Sequence, residues 1–241
     1  MKDKALIQFD PPSAAPFWVH ATAELEKLLR SPVAADCDLT VVLSAHFVRF
    51  AVLPWTASLS TRGEWLAYAQ HTFFRTYGAA ANSWQVTACG TGRKHPWIAC
   101  AVDRALREAL ARIAREGGVR LVSVQPWLMT MFNRNRGAIK DGSGWFVLAE
   151  RGRITVASLV GGAWESIRAR NVDSDWSSEL ELLLEREAAV CGIEEQPKQV
   201  YVCTSEPLED RGLGSGRYCV ADLTLPRGTA AELRPYAAVL A

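Results

Sequence analysis

The sequence has 241 residues, 49% of them apolar, with 27 basic and 26 acidic side chains for a net charge of +1. That length suits one large domain or two ordinary ones, and the near-neutral balance gives no basic field to gather nucleic acid. No run approaches the ~20 apolar residues of a membrane span, and the six cysteines show no C-x-x-C spacing.

The opening "MKDKALIQFDPPSAAPF" lacks the apolar core of a secretory signal. Several cysteines sit in apolar runs such as "WIACAV" and "QVYVCT", the pattern of buried reduced thiols in a cytosolic protein. The expectation is a soluble, cytoplasmic chain with most of its nine tryptophans in the core.

From residue 39 the predicted elements alternate. "LTVVLSAHFVRFAVLPW" reads as two strands around a turn at Ser44 to His46. A helix is expected from about Thr61 to Tyr77, because Thr61 and Glu64 have capping-box spacing and Gly78 is placed to stop it. Trp65, Ala69, Phe73 and Tyr77 recur every four residues as its buried stripe. "SWQVTACG" and "PWIACAV" follow as strands. In the next helix Val102, Ala105, Leu106, Ala109, Leu110 and Ile113 share one face, with Arg107 opposite. "VRLVSVQP" is a strand and "WLMTMFNRNR" a short helix.

The second half opens with "WFVLAERGRITVASLVGGAWESIRA", three strands with tight turns at Arg151-Gly152 and Gly161-Gly162. A helix from about Asp175 to Cys191 should bury Trp176, Leu180, Leu183, Leu184 and Ala188. Then come the strand "KQVYVCT", a weaker strand near "RYCVADLTL" and a short terminal helix. Three antiparallel strands, a helix and a further strand form the ribonuclease-H-like order, which in chains of this length often occurs twice, as the two lobes of an actin-like fold.

The stretch "VVLSAHFVRFAVLPW", an aromatic-rich helix, two strands, "AVDRALREALARIAREGGVRLVSVQP" and the meander resemble the type IV pilus assembly protein PilM and the cytoplasmic region of the type II secretion protein GspL. The likeness spans about residues 39 to 204. It implies an α/β chain of mixed sheets with a first lobe over 1–140, carrying a small inserted subdomain at about 39–102, and a second lobe over 141–241.

Nucleotide-binding members of the actin-like fold wrap phosphates with a D-x-G hairpin in each lobe and admit adenosine beside a late glycine pair. This chain departs from all three features. Asp10 is followed by two prolines, which lack N–H donors. The second-lobe position reads "ERG", with Glu150 where the aspartate would stand, and "TSEPLED" after "VYVC" holds no glycine pair. "ERG" therefore reads as a structural hairpin, with Arg151 and Arg153 as solvated charges at its end.

Other chemistry is weaker. A two-metal nuclease would have to draw together Asp10, Asp103, Glu150 and Asp222, and Asp103 reads more simply as a helix N-terminal residue. His20, His46, His71 and His95 are isolated. "NRNRG" reads as a polar helix end, and "GTGRKHP" and "EDRGLGSGRY" read as loops, the latter without P-loop spacing. No catalytic, cofactor-binding or metal-binding residue is assigned, and no cofactor is expected.

The resemblance implies a non-catalytic scaffold whose partners are proteins of an inner-membrane pilus or secretion assembly, with no nucleic acid and no membrane span of its own. A partner segment would dock by the inserted subdomain, near "LPW" and "CGTGRKHPW". The alternative is a degenerate actin-like ATPase or phosphotransferase.

Overall fold

A computed structural model describes residues 5–7, 18–30, 37–90, 94–139, 142–172, 176–193, 197–205, 217–226 and 229–239. Asp10, Asp175, residues 91–93 of the basic loop, and 206–216, which take in most of "TSEPLED" and of the glycine-rich stretch, lie outside them. Among the described residues no helix is long and apolar enough to cross a membrane.

The second half builds one five-stranded sheet. Strands β6 (Gly144–Glu150), β7 (Arg153–Val160) and β8 (Ala163–Asn171) form the antiparallel meander, and helix α5 (Trp176–Cys191) carries the chain to β9 (Gln199–Thr204) and β10 (Cys219–Asp222). The strand order is β10-β9-β6-β7-β8, with β9 parallel to both of its neighbours. The glycine turns do what the sequence asks: Gly161 and Gly162 have φ of +56° and +81°. Gly142, at φ +63°, lies so close to that turn that a Cβ there would stand 2.5 Å from the Gly162 nitrogen. β6 is buried along its whole length because both faces of the sheet are covered. Trp145, Val147 and Ala149 face α5, whose Trp176, Leu180, Leu183, Leu184 and Ala188 are buried as expected. Phe146 and Leu148 face the other way, onto Trp127, Met131 and Phe132.

Those last residues belong to α4 (Trp127–Asn135), which ends the first half. Before it come α1 (Trp18–Leu29), β1 (Asp38–Leu43), β2 (Val48–Leu53), α2 (Arg62–Tyr77), β3 (Trp84–Gly90), β4 (Trp97–Asp103), α3 (Arg104–Glu116) and β5 (Arg120–Pro126). β1 and β2 follow one another through a tight turn, yet each pairs elsewhere. β1 runs parallel to β5, while β2 joins β4 and β3 in an antiparallel sheet of order β2-β4-β3.

The capping box of α2 is complete. Thr61 Oγ1 accepts from the Glu64 amide, and the Glu64 carboxylate accepts from the Thr61 amide at 2.8 Å. Trp65, Ala69 and Phe73 are buried on the three-stranded sheet, and Trp65 stacks on Trp97 with ring centroids 4.8 Å apart. Tyr77, expected in the same stripe, is 40% exposed: it is the last residue of α2 and meets Trp84 edge-on and Phe73 at a tilt from the rim of the cluster.

In α3 the buried residues are Leu106, Leu110, Ile113 and Ala114. Leu106 and Leu110 pack on Leu43 and Val48, whereas Ala105 is exposed and Ala109 half-buried, so the apolar stripe is narrower and rotated from the expected one. Helix α1 precedes the elements expected from the sequence, which begin at residue 39. Its Trp18 and Leu25 cover the same cluster, and Leu29 packs so tightly on Gly117 that a Cβ there would meet it at 3.0 Å.

The two halves share a core. Val42, Phe50, Val52 and Ile98 from the small sheets pack against Phe146, Leu148, Leu159 and Trp164 of the large one. Most tryptophans serve the core, although Trp55 is 41% exposed. The six cysteines form no disulfide, but Cys89 and Cys219 are exposed rather than buried. Cys89 alternates with buried Ala88 on edge strand β3, and Cys219 opens edge strand β10, so both point outward.

Candidate functional site

The β1–β2 and β6–β7 turns, more than a hundred residues apart in sequence, touch. In the first turn Phe47 N–H donates to the Ser44 carbonyl at 3.0 Å and His46 N–H to Ser44 Oγ at 3.2 Å. That leaves the Ala45 N–H, which donates to Glu150 Oε2 at 2.8 Å. Both residues are buried, Ala45 at 3% and Glu150 at 7% exposure. The His46 ring Nε2 lies 3.1 Å from the Arg151 carbonyl oxygen. The second turn is in turn tied to β8, since the Val172 amide donates to the Gly152 carbonyl at 3.2 Å.

Burial pushes the Glu150 carboxyl above its ordinary pKa, opposed by hydrogen bonds from Ser44 and Ala45 and by the charge of Arg153. His46 is lowered, first by burial and then by the nearby charges of Arg153 and Arg49, against the opposing bond to Arg151. Arg153 is half-buried, not a solvated hairpin-end charge. Its Nη1 donates to Asn171 Oδ1 at 2.9 Å because Asn171 stands directly opposite it in the β7–β8 register.

The other candidate residues scatter. Asp103 caps α3, accepting from the Ala105 amide at 2.8 Å. Asp222 pairs with Arg234 at 2.6 Å. Asp103, Glu150 and Asp222 thus have separate partners, and no group of three or more His, Cys, Asp or Glu among the described residues is placed to hold a metal. His20 and His71 are exposed.

The polar end of α4 is an anchor. Arg134 donates to the carbonyls of Ala237 and Thr224, and Asn135 Nδ2 to that of Leu223 at 3.0 Å, fastening the C-terminal segment over the shared core. Glu187, 1% exposed, holds β8 to α5: its Oε1 accepts from Arg170 Nε at 2.8 Å, and Arg168 Nε stands 3.1 Å from Oε2. Sequence periodicity places Glu187 between buried positions 184 and 188 but offers no sign of its arginine partners on another element.

A scan of protein-family models finds no match to the sequence, and neither does comparison with curated proteins. Solved structures do match. The chain is similar to the cytoplasmic domain of EpsL, an inner membrane component of the type II secretion system of Vibrio cholerae. The TM-score is 0.57 at 14% identity, over 93% of this chain and 81% of that one. It is similar to a chain of the PilM–PilN type IV pilus biogenesis complex, with TM-score 0.57 at 12% identity over 90% of this chain and 82% of that one. A Bacteroides thetaiotaomicron protein of actin-like ATPase fold and unknown function matches with TM-score 0.53 at 10% identity, over 83% of this chain and 75% of that one. The chain therefore has the actin-like, ribonuclease-H-like two-lobe α/β fold.

Proposed function

We propose that this chain is a non-catalytic actin-like scaffold that binds a protein partner on the cytoplasmic side of a bacterial pilus or type II secretion assembly. Its first lobe would take residues 1–140, with the inserted subdomain at about 39–102, and its second lobe 141–241. The observation that carries the reading is the contact between the two turns. A phosphate cradle needs several unspent backbone N–H groups crowded around one point. Here the N–H groups of Ala45, His46 and Phe47 are all donated within the protein, one of them to the carboxylate of the facing turn. The Glu150 carboxylate accepts the one amide of that turn left over by Ser44, so none of the three is free for a phosphate oxygen.

Such a chain has its surface to offer, and β3 is the outer strand of its sheet, with an unpaired edge among the described residues. An extended partner segment can add to such an edge by main-chain hydrogen bonds. EpsL is an inner membrane component of a type II secretion system and PilM occurs in complex with PilN, which supports a partner of that kind.

Two measurements test the reading. A ligand at a hundredfold excess over its dissociation constant stabilises a protein by about 2.7 kcal/mol, so melting in millimolar magnesium-ATP should leave Tm unchanged. A clear rise that Glu150→Ala alters would overturn the non-catalytic reading. Affinity capture of the whole chain from native membranes should recover an identified pilus or secretion assembly protein, and recovery of none would overturn the scaffold reading.

A further inference from the structure

The outer strand of a sheet presents unpaired N–H and C=O groups to any passing strand, and proteins guard such edges with charge, proline, brevity or a break in register. Among the described residues every edge but one is guarded. β1 carries Asp38 and a register shift at Leu39–Thr40, and β5 carries Arg120 and Pro126. β2 carries Arg49. β10 is four residues long and ends at Asp222, and β8 carries Glu165, Arg168 and Arg170 beside a register shift.

The exception is β3, "WQVTACG". Its seven residues include no charge and no proline, and it pairs with β4 without a shift. The Trp84 amide donates to the Ala81 carbonyl, and the Gly90 carbonyl accepts from the Cys89 thiol at 3.6 Å. No other main-chain group of β3 has a partner outside β4 among the described residues.

Apolar surface borders this edge. On the face covered by α2 the Trp84 ring meets Tyr77 edge-on, and Phe74, one helical turn before Tyr77, is 47% exposed. At the other end of the strand the Trp97 ring lies over Gly90, 2.9 Å from where a Cβ would stand, and stacks on Trp65.

We propose that β3 pairs antiparallel with β3 of a second copy of this chain, joining two three-stranded sheets into one of six about a two-fold axis at Thr87. That register uses the whole strand. It sets Trp84 opposite Gly90 and Val86 opposite Ala88 on the α2 face, large against small each time, and Gln85 opposite Cys89 on the other face. The Trp84–Tyr77 end of each copy thereby comes beside the Trp97–Trp65 end of the other, and the apolar cluster under α2 continues across the axis.

Charge favours a copy as the occupant. A two-fold axis brings each edge residue near its own duplicate, so a charged edge repels itself and the neutral β3 does not. The basic residues near the strand, Arg62 a turn before Trp65 and Lys94 beyond Gly90, stand at one end of it. The pairing places them beside the uncharged segment Gly78–Ser83 of the other copy. This dimer does not rest on the scaffold reading, and a partner segment added at β3 would take the place of the second copy.

The test is sedimentation equilibrium of the full chain, which should show a reversible monomer–dimer equilibrium. Thr87 is exposed, so a charge there is tolerated by the monomer but faces its duplicate on the axis. Thr87→Lys and Thr87→Glu should each weaken the dimer roughly a hundredfold, and an equimolar mixture of the two should recover it. Val122→Lys, on the guarded strand β5, should leave it unchanged. Hydrogen exchange of the β3 amides should slow as the wild-type concentration rises, and should not slow in Thr87→Lys.

A wild-type chain that stays monomeric up to millimolar concentration overturns the proposal. So does a dimer that both Thr87 variants leave undiminished, or one whose formation slows exchange elsewhere but not in β3. A mixture of the two variants that stays monomeric, although amide spectra show both folded, overturns it as well.

Discussion

The large sheet and the small sheets solve the burial problem differently. The five-stranded sheet covers one face with α5 and the other with α4, so β6 is buried at every position. The three-stranded sheet has only α2 of its own, and its opposite face lends Phe50, Val52 and Ile98 to the core of the other half. The two-stranded β1–β5 ladder leans on α1 and α3. The large sheet has α5 of its own and borrows α4 from the first half, so that both its faces are covered, whereas the three-stranded sheet has only α2 and rests its other face on the second half. Stability differences along a chain follow such differences in buried contact, so damage should spread from the large sheet to the small ones more readily than the reverse.

The sharpest way to break this asymmetry is Trp164→Ala. Trp164 is 2% exposed within the shared core, and truncating a buried tryptophan costs about 3–5 kcal/mol. Urea unfolding should show the loss, and amides of β2 and β6 should lose exchange protection together. Protection lost in β6 alone would mean that the halves are independent. Next in size, Leu106→Ala should cost about 2–5 kcal/mol, because Leu106 packs on Leu43 and Val48. Arg107→Ala on the exposed face should stay within about 0.5 kcal/mol. Here β6 should keep its protection, and its loss would reverse the asymmetry. Smaller again, Thr61→Ala removes the acceptor for the Glu64 amide and should cost about 1 kcal/mol, read as a lower denaturation midpoint with an unchanged slope.

The smallest effect concerns pH. Burial places the folded-state pKa of Glu150 above its ordinary value of 4.5, so the folded chain holds that proton to higher pH than the unfolded one. The contribution of this group is therefore fullest below the ordinary carboxylate range and is lost as pH rises through the raised pKa. Glu150→Gln should flatten the fall in stability across that interval. An unchanged slope would show that the contact between the turns titrates no differently from an exposed carboxylate.

Local signals made much of this fold legible. The Thr61–Glu64 box, the Gly161-Gly162 turn and the apolar spacing from Trp176 to Ala188 each specify their element within a few residues, and the meander-helix-strand order pointed to the architecture. What stayed hidden depends on partners distant in sequence. Helix α1 has apolar spacing at Trp18, Leu25 and Leu29 but follows a proline-rich stretch and carries no acidic residue in its first turn to mark its start. Nothing in "LTVVLSAHFVRFAVLPW" says that its two strands pair with β5 and β4 instead of each other. The only aspartate-containing turn candidate of the first lobe lies upstream of residue 39, yet the turn facing "ERG" is Ser44 to Phe47, and only the folded chain brings Glu150 to Ala45.

That last hydrogen bond turns a single backbone proton into a gauge. Amides in tight turns ordinarily trade their hydrogen for deuterium quickly, because water reaches them without any unfolding. The Ala45 amide is enclosed, and its acceptor belongs to the other half of the molecule, so solvent can reach it only when the halves part. Its exchange rate therefore reads the fraction of time the halves spend apart, and a partner that bridges the halves would slow this one clock before any change in shape became visible.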